Sequence, residues 1–165
     1  MMDSLTFVTH SAEETEALAA ALAPVCLPND VIGLQGTLGA GKTCFVRGLA
    51  RGLGVPPGAQ VISPTFVLLR QYTGRLQLNH YDAYRLDGAA DMEEIGSEET
   101  FADGGVTVVE WADHVAECLP AARFLFGIEV TGPSDRRLTL SASGEGPIGR
   151  MPRIRAALEP WLAAL

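Results

Sequence analysis

The residues with the clearest chemical meaning form one glycine-rich segment that matches the phosphate-loop pattern, GxxxxGK followed by Ser or Thr. Its members are Gly36, Thr37, Leu38, Gly39, Ala40, Gly41, Lys42 and Thr43. Glycines allow successive backbone N–H groups to converge on an anion, and the start of a helix adds positive charge there. The segment therefore predicts a nucleotide site, in which the Lys42 ammonium contacts the outer phosphates and the Thr43 hydroxyl binds Mg²⁺.

Lys42 is the only lysine in the chain, and the other eleven basic residues are arginines. A compact ammonium fits between phosphate groups in a way that a planar guanidinium does not. The single lysine therefore lies at the position where phosphate binding requires an ammonium. The same count disfavours a conventional GTPase, because the guanine-specific NKxD or TKxD motif needs a second lysine.

Two carboxylates are candidates for catalysis and for the metal, because phosphoryl chemistry needs an acid near the Mg²⁺. Glu110 ends the apolar run VTVVE and is the first candidate. Asp82 ends a second strand-like run, within NHYDAYR, and could bind the ion directly or through water. A hydroxyl of the tripeptide Ser63-Pro64-Thr65 could sense the outermost phosphate, as switch threonines do.

The cysteines and histidines show none of the spacings that metal sites or disulfide frameworks use. Three cysteines leave an odd count without a CxxC pair, and three histidines are scattered along the chain. Cys44 follows Thr43 at the start of a predicted helix, and we interpret it as a small packed residue at the end of the phosphate loop rather than a reactive thiol. The other members of the two sets are Cys26, Cys118, His10, His80 and His114.

Length and composition indicate one domain that occupies residues 1–165. Of the 165 residues, 47% are hydrophobic and 19% are charged, which suffices to bury a core and excludes a disordered protein. No apolar run approaches the roughly 20 residues of a membrane-spanning helix, and the first residues are acidic rather than basic. We therefore expect a cytoplasmic protein with no membrane partner, monomeric on its own.

The net charge of −8 is unevenly distributed along the chain. Between Leu86 and Ala122 there are ten acidic residues and no basic one, whereas the rest of the chain has twelve basic and ten acidic residues. Because a basic face is missing, direct and tight binding of RNA or DNA is not expected. The acidic segment is either a solvated helix face or a docking surface for a basic partner.

Apolar periodicity and turn signals predict a three-layer α/β domain with a mixed central sheet. Ser11 and Glu14 form a capping-box pattern before the first helix, and the β-branched run Val106–Trp111 is typical of a central parallel strand buried on both faces. The other predicted strands are Leu5–Val8, Asp30–Gln35, Phe66–Tyr72, Leu76–Tyr81, Arg123–Thr131 and Arg137–Ser143. The predicted helices are residues 12–23, Lys42–Leu53, Ala89–Ile95, Ala112–Cys118 and Pro152–Leu165.

Five segments together resemble the TsaE (YjeE) family of ATPases, which act in bacterial tRNA threonylcarbamoyladenosine synthesis. The segments are ETEALAAALA, GTLGAGKT, SPTF, HYDAYRL and VVEW, and they extend over nearly the whole chain. The resemblance implies a small P-loop NTPase-like fold that binds MgATP and hydrolyses it slowly. It also implies a partner, the TsaB–TsaD pair, which transfers a threonylcarbamoyl group to an adenosine of tRNA. This protein would then contact tRNA only indirectly, through that complex.

The resemblance also implies roles for particular residues. The loop Gly36–Thr43 would hold the phosphates, with Thr43 on Mg²⁺ and Thr65 as the switch-like threonine. Asp82 and Glu110 would be the two functional acids near the metal and the γ-phosphate, and which of them touches the ion directly stays open.

Three further positions compare this chain with the family pattern. Trp111 matches the aromatic residue after the glutamate, whereas Thr37 stands where an acid is common and Cys44 where a second threonine is common. Thr37 and Cys44 supply neither the phosphate-cradling glycines nor the lysine, so binding should be retained.

The resulting hypothesis is an ATPase that uses hydrolysis to drive or reset a partner complex. A small-molecule kinase is an alternative, and it would need mobile arginines that close over the phosphates, such as Arg70, Arg75 and Arg85. A nucleotide-gated binding module without turnover is the third possibility.

Replacing Lys42 with alanine is expected to remove most of the affinity for ATP, because a cation is lost from a site that binds several negative charges. Calorimetric titration of the parent chain and of Lys42→Ala with MgATP measures the difference. Equal affinities would refute the assignment of the loop.

Overall fold

The computed structural model describes residues 4–64 and 68–164, and its centre is a seven-stranded sheet. The strands are β1 (Ser4–Thr9), β2 (Val31–Gln35), β3 (Leu69–Tyr72), β4 (Leu78–Asp82), β5 (Val106–Glu110), β6 (Arg123–Val130) and β7 (Arg136–Ser143). The α-helices are α1 (Ala12–Leu22), α2 (Lys42–Gly52), α3 (Ala89–Glu94), α4 (Ser97–Phe101) and α5 (Glu145–Ala157). Short 3-10 helices cover Ala23–Val25, Ala112–Cys118 and Glu159–Trp161.

The strands are ordered β1-β7-β6-β2-β5-β4-β3 across the sheet. The four central strands, β6, β2, β5 and β4, are parallel to their neighbours within this group, whereas β7, β1 and β3 pair in antiparallel fashion. β2, β4 and β5 are buried along almost their whole length, as expected of parallel strands whose two faces are both covered. The predicted mixed sheet with parallel strands at its centre is confirmed.

Two hydrophobic clusters cover opposite faces of the sheet and make the fold three-layered. The larger cluster joins α1, α2 and α5 to one face, and includes the rings of Phe45 and Phe126 with centroids 4.8 Å apart. The smaller cluster packs Met92 of α3 and the 3-10 helix Ala112–Cys118 against the other face. Neighbouring residues of a strand point to opposite faces, and so Val108 belongs to the first cluster and Val109 to the second.

The start of α1 agrees with the capping pattern in its main feature. Ser11 Oγ accepts a hydrogen bond from the Glu14 N–H at 3.1 Å. The Glu14 carboxylate accepts from the N–H of His10 at 2.7 Å, one residue before the cap, instead of from the Ser11 amide. The two bonds satisfy the Glu14 amide, which the helix itself leaves without a partner, and the His10 amide that precedes the cap.

The helix predicted over Pro152–Leu165 is wrong at both ends, because α5 spans Glu145–Ala157. The prediction used the preference of proline for the first helical position. Pro152 instead lies inside α5 and removes one backbone hydrogen bond, a cost of ~3 kcal/mol or more in an isolated helix. Tertiary contacts offset it: Arg150 binds Asp30 at 2.5 Å and the Val25 carbonyl at 3.1 Å, and Ile154 is buried in the larger cluster.

Other elements match the predictions more closely. Both predicted hairpins are present as β3–β4 and β6–β7, although residues 66 and 67 of the first lie outside the described residues. The short helix Ala112–Cys118 is a 3-10 helix interrupted at Val115, and α4 was not predicted. None of the helices within residues 4–64 and 68–164 has the length and apolarity needed to span a bilayer.

Close packing of α1 against α2 determines where α2, and the loop that precedes it, sits on the sheet. A Cβ atom on Gly48 would lie 2.2 Å from the Glu16 carbonyl oxygen, and one on Gly52 would lie 2.5 Å from that of Ala20. Two glycines one helical turn apart therefore let the helix backbones touch.

Gly48→Ala is expected to lower the free energy of unfolding by about 1–3 kcal/mol, because the added methyl group forces the two helices apart. Gly149→Ala is the matched control, since that glycine lies in α5 with no atom within 4 Å of the new Cβ. The control should be neutral or up to ~1 kcal/mol more stable, as alanine favours helix more than glycine does. Urea denaturation followed by circular dichroism measures both, and equal effects would contradict the packing argument.

Candidate functional site

The glycine-rich segment forms the turn between β2 and α2, at the carboxyl end of a central strand. Gly39 has φ 81° and Gly41 has φ 108°, left-handed conformations that residues with a Cβ rarely adopt. A Cβ on Gly36 would lie 2.6 Å from the Ile128 carbonyl oxygen of β6. The glycines of the pattern therefore stand where the backbone requires them.

The Lys42 ammonium lies against its own loop. Nζ donates hydrogen bonds to the carbonyl oxygens of Gly36 at 2.6 Å and Thr37 at 2.9 Å, and it lies 3.8 Å from the centroid of the Trp111 ring, a cation–π contact. Burial lowers the pKa of this ammonium, and the nearby Glu110 carboxylate opposes the shift. The one lysine of the chain is thus placed where it can exchange carbonyl oxygens for the oxygens of an anion.

The register between β4 and β5 places the two candidate carboxylates side by side. Asp82 pairs with Glu110, each the last residue of its strand, and Glu110 pairs on its other side with Leu34 of β2. Asp82 and Glu110 are both only 3% exposed. Because the strands are parallel, their carboxyl ends lie at one edge of the sheet together with the loop. The structure thus brings together the loop and both acids that the sequence singles out.

Thr43 and His80 contact the Glu110 carboxylate from different sides. The Thr43 hydroxyl donates to both carboxylate oxygens at 3.1 Å, and His80 Nε2 lies 2.5 Å from Oε2. Sequence reasoning missed His80, because it treated the histidines only as possible zinc ligands. The available signal was its position two residues before Asp82 on the same strand, which puts both side chains on one face.

The Asp82 carboxylate is held at the start of the segment that follows β4. One of its oxygens accepts the backbone N–H of Tyr84 at 2.9 Å, and the other accepts the Ser63 hydroxyl. Ser63 therefore belongs to the site, two residues before the predicted switch threonine. Thr65 itself lies outside the described residues, so its predicted role stays a prediction.

These groups line an open cavity of about 390 Å³ beside the loop. Among the oxygens that line it are the Thr43 hydroxyl and the carboxylates of Asp82 and Glu110, the atom type that Mg²⁺ prefers as a ligand. Within the described residues, no three His, Cys, Asp or Glu side chains are grouped as metal ligands. A divalent cation held here would therefore combine these oxygens with water or with oxygens of a bound molecule.

Trp111 lines the cavity and has a strained backbone conformation. It directly follows β5 and has φ 59°, a left-handed value that is uncommon for a bulky residue. Its ring packs against Tyr84, with centroids 4.9 Å apart, and against His114 at 5.5 Å. The left-handed conformation directs the indole back over Lys42, and we interpret the backbone strain as the cost of this position.

A second cavity, of about 280 Å³, lies on the other side of the loop. It is lined by Ser11 and Thr15 from the start of α1, by Cys44, and by Ser134 and Arg136 from the β6–β7 turn. Burial raises the pKa of the Cys44 thiol, whose Sγ donates to the Ala12 carbonyl oxygen at 3.2 Å. A packed residue rather than a reactive thiol is the interpretation that these contacts support.

Arg136 fixes the outer wall of the loop. Its Nε donates to the Ala40 carbonyl oxygen at 2.9 Å, while Nη1 donates to the carbonyl oxygens of Asp135 at 2.9 Å and Gly132 at 3.3 Å. These bonds fix the direction of the Ala40 carbonyl and hold the loop against the start of β7. Nothing in the local sequence around Arg136 signals this role, since its partner lies 96 residues away.

A three-layer α/β sandwich with a glycine-rich loop between a central parallel strand and the next helix is the P-loop NTPase-like fold. The crystal structure of Bacillus subtilis YdiB has the same fold, with a TM-score of 0.79 and 35% sequence identity over 97% of each chain.

Sequence comparisons assign the chain to one family within this fold. Residues 9–138 match the family described as "Threonylcarbamoyl adenosine biosynthesis protein TsaE". The tRNA threonylcarbamoyladenosine biosynthesis protein TsaE of Bacillus subtilis (strain 168) is 41% identical over 144 residues, which cover 87% of this chain and 89% of that protein. The protein of the same name from Treponema pallidum (strain Nichols) is 40% identical over 134 residues, 81% of this chain and 98% of its own. The chain therefore belongs to the TsaE family, whose role is in tRNA threonylcarbamoyladenosine biosynthesis.

Proposed function

We propose that this protein binds MgATP at the loop Gly36–Thr43, hydrolyses it, and by hydrolysis drives or resets the TsaB–TsaD pair in tRNA threonylcarbamoyladenosine synthesis. One observation carries the proposal: a phosphate-loop backbone, one ammonium, one threonine hydroxyl and two carboxylates meet at a single cavity. Membership of the TsaE family supports the place in tRNA modification.

In this proposal, phosphate binding exchanges hydrogen bonds that the site already makes. Lys42 exchanges the carbonyl oxygens of Gly36 and Thr37 for phosphate oxygens, and the Thr43 hydroxyl turns from Glu110 to Mg²⁺. The exchange favours binding because the Lys42 ammonium then faces phosphate oxygens, which carry negative charge, instead of neutral carbonyl oxygens.

The two carboxylates then have different tasks. Asp82, held by the Tyr84 amide and by Ser63, supports Mg²⁺ directly or through water. The metal, when bound, neutralises charge on the phosphate oxygens. Glu110 orients the attacking water and takes its proton while the bond from the water oxygen to the γ-phosphorus forms and the bond to the β–γ bridging oxygen breaks, giving ADP and phosphate.

The second cavity supports a place for the nucleoside. It borders the same loop, and Arg136, at the start of β7, lines it. A nucleotide whose phosphates lie in the loop would have its base and ribose on this side, between α1 and the β6–β7 turn. Adenine is the base we propose, because the sequence lacks the lysine of a guanine-specific motif.

Arg136→Ala is expected to weaken MgATP binding about tenfold, because losing a charge-assisted hydrogen bond that holds the loop costs ~1.5 kcal/mol or more. Arg137→Ala is the matched control: the adjacent arginine is 51% exposed and pairs at 3.4 Å with Glu129, a surface contact of little energetic value. Calorimetric titration of both variants measures the effect. Equal losses would show that net charge rather than loop geometry sets the affinity.

The acidic segment supports coupling to a protein partner. Its exposed carboxylates lie on the helices that cover the smaller cluster and in the segments that flank them. The 3-10 helix Ala112–Cys118 begins directly after Trp111 at the cavity. A partner that binds this acidic face would thereby contact an element connected to the nucleotide site. The exposed acids are Asp87, Glu93, Glu94, Glu98, Glu99, Asp103, Asp113 and Glu117.

The kinase alternative loses one of its three candidate arginines. Arg75 lies in the turn before β4, at the amino end of the parallel strands and opposite the loop. Its guanidinium donates to the Ala23 carbonyl oxygen at 2.8 Å and to that of Cys26 at 3.3 Å. These contacts tie Arg75 to the end of α1, away from any phosphate in the loop.

Phosphate release from MgATP tests the proposal, measured for the protein alone and with the TsaB–TsaD pair added, with Lys42→Ala as the blank. We expect slow release that the pair accelerates. Glu110→Ala should keep the parental affinity for ATP and lose turnover by about 10²- to 10⁴-fold, since general-base catalysis contributes that much.

Other outcomes favour the alternatives. Release that needs a small acceptor and ignores the pair would support a kinase. Partner binding that depends on ATP, with no release by the parent chain, would support the module without turnover. Equal hydrolysis by Glu110→Ala and the parent would remove Glu110 from the mechanism.

A further inference from the structure

His80 lies in the middle of β4, directly under the proposed nucleotide site. It is opposite Val108 in the β4–β5 register, and its side chain has no solvent exposure. Its Nε2 is 2.5 Å from Glu110 Oε2, so the ring nitrogen donates to a carboxylate oxygen, which can only accept. A hydrogen bond this short to a charged acceptor restrains the orientation of both groups.

Packing alone does not account for an imidazole at this position. His80 Nδ1 has no hydrogen-bond partner within residues 4–64 and 68–164, and a buried polar atom without a partner lowers stability. An apolar side chain of similar volume would fill the space without that cost. The contact that distinguishes His80 from such a residue is the bond to Glu110.

Glu110 relies on this bond when Thr43 is engaged elsewhere. Within the described ranges, hydrogen bonds to the Glu110 carboxylate come from the Thr43 hydroxyl and from His80. Under the proposed function the Thr43 hydroxyl turns to the metal, whereas the ring stays in place because it is part of a buried central strand. The imidazole then holds one carboxylate oxygen and leaves the other for water in the cavity.

We infer that His80 is a positioning residue, whose Nε2–H holds the Glu110 carboxylate in the orientation that hydrolysis requires. The inference rests on the proposed role of Glu110 and adds a residue that touches neither nucleotide nor metal. Since His80 acts through Glu110, its contribution must disappear when Glu110 is removed.

The kinetic test compares His80→Leu, His80→Gln, Glu110→Ala and the double variant His80→Leu/Glu110→Ala in MgATP hydrolysis. We expect His80→Leu to lower kcat by about 10- to 100-fold, the usual cost of losing a group that orients a functional ligand, with KM and the calorimetric affinity nearly unchanged. His80→Gln should restore most of the rate, because its amide N–H can reach the same oxygen. The double variant should be as slow as Glu110→Ala alone.

Asn79→Leu is the matched control for a buried polar residue of the same strand. Asn79 is fully buried next to His80 but points to the opposite face, where it bonds Asp103 and Thr107. The Asn79→Leu substitution should lower the midpoint of thermal unfolding and leave kcat per folded molecule at the parental value.

A measurement without nucleotide tests the bond itself. Long-range ¹H–¹⁵N NMR of the imidazoles should place the His80 ring proton on Nε2, and this signal should shift when Glu110 is replaced by alanine. The chain has only three histidines, and His80→Gln assigns the resonance by its loss.

The outcomes separate the two proposals. A parent chain that does not hydrolyse MgATP overturns the proposed function, whatever the imidazole spectrum shows. If the parent is active and Glu110→Ala is inactive, three results would each overturn the assignment of His80. They are a parental kcat in His80→Leu, a further loss of kcat in the double variant, and a ring signal that does not change when Glu110 is replaced.

Discussion

Parallel pairing holds β2, β5 and β4 in a fixed register, and each polar group of the candidate site depends on that register. Asp82 and Glu110 are neighbours only because each ends its strand at the same level, and the loop follows β2 at that level too. A shift of one residue between β4 and β5 would turn Asp82 and His80 to the other face of the sheet. Burial of these strands on both sides therefore secures the geometry of the chemistry as well as the fold.

Charged and polar groups are concentrated in this site at a cost in stability that the rest of the fold must offset. Lys42, Asp82 and Glu110 are nearly buried, and burying a charge is unfavourable unless partners compensate it. The compensation is local: loop carbonyls accept from the ammonium, and fixed donors bond each carboxylate. Together with the left-handed Trp111, this arrangement is typical of a region selected for function rather than for stability.

Sequence alone predicts the parts of the fold and site that have local signals. The loop has a spaced pattern, β5 has a continuous β-branched run, and the acids stand at the ends of apolar runs. The predicted bounds of α5 are wrong because proline prefers the first position of a helix, and Pro152 instead lies inside it. The contact between Arg150 and Asp30, 120 residues apart, helps to hold this longer helix in place. The role of Arg136 has no local signal, because the topology brings its partner Ala40 close from 96 residues away. His80 has only the signal of its place two residues before Asp82, because its partner Glu110 lies 30 residues further along the chain.

The position of Lys42 also governs how the protein reacts with amine-directed reagents. Every other basic side chain is an arginine, so acylating or reductive-alkylating agents meet one lysine ε-amine, and that amine is folded onto the loop under an indole ring. Burial increases its unprotonated fraction, while the 5% exposure of Lys42 limits the access of a reagent to it. Modification of lysine on this protein would thus report on one site, because the arginine side chains do not react with these reagents.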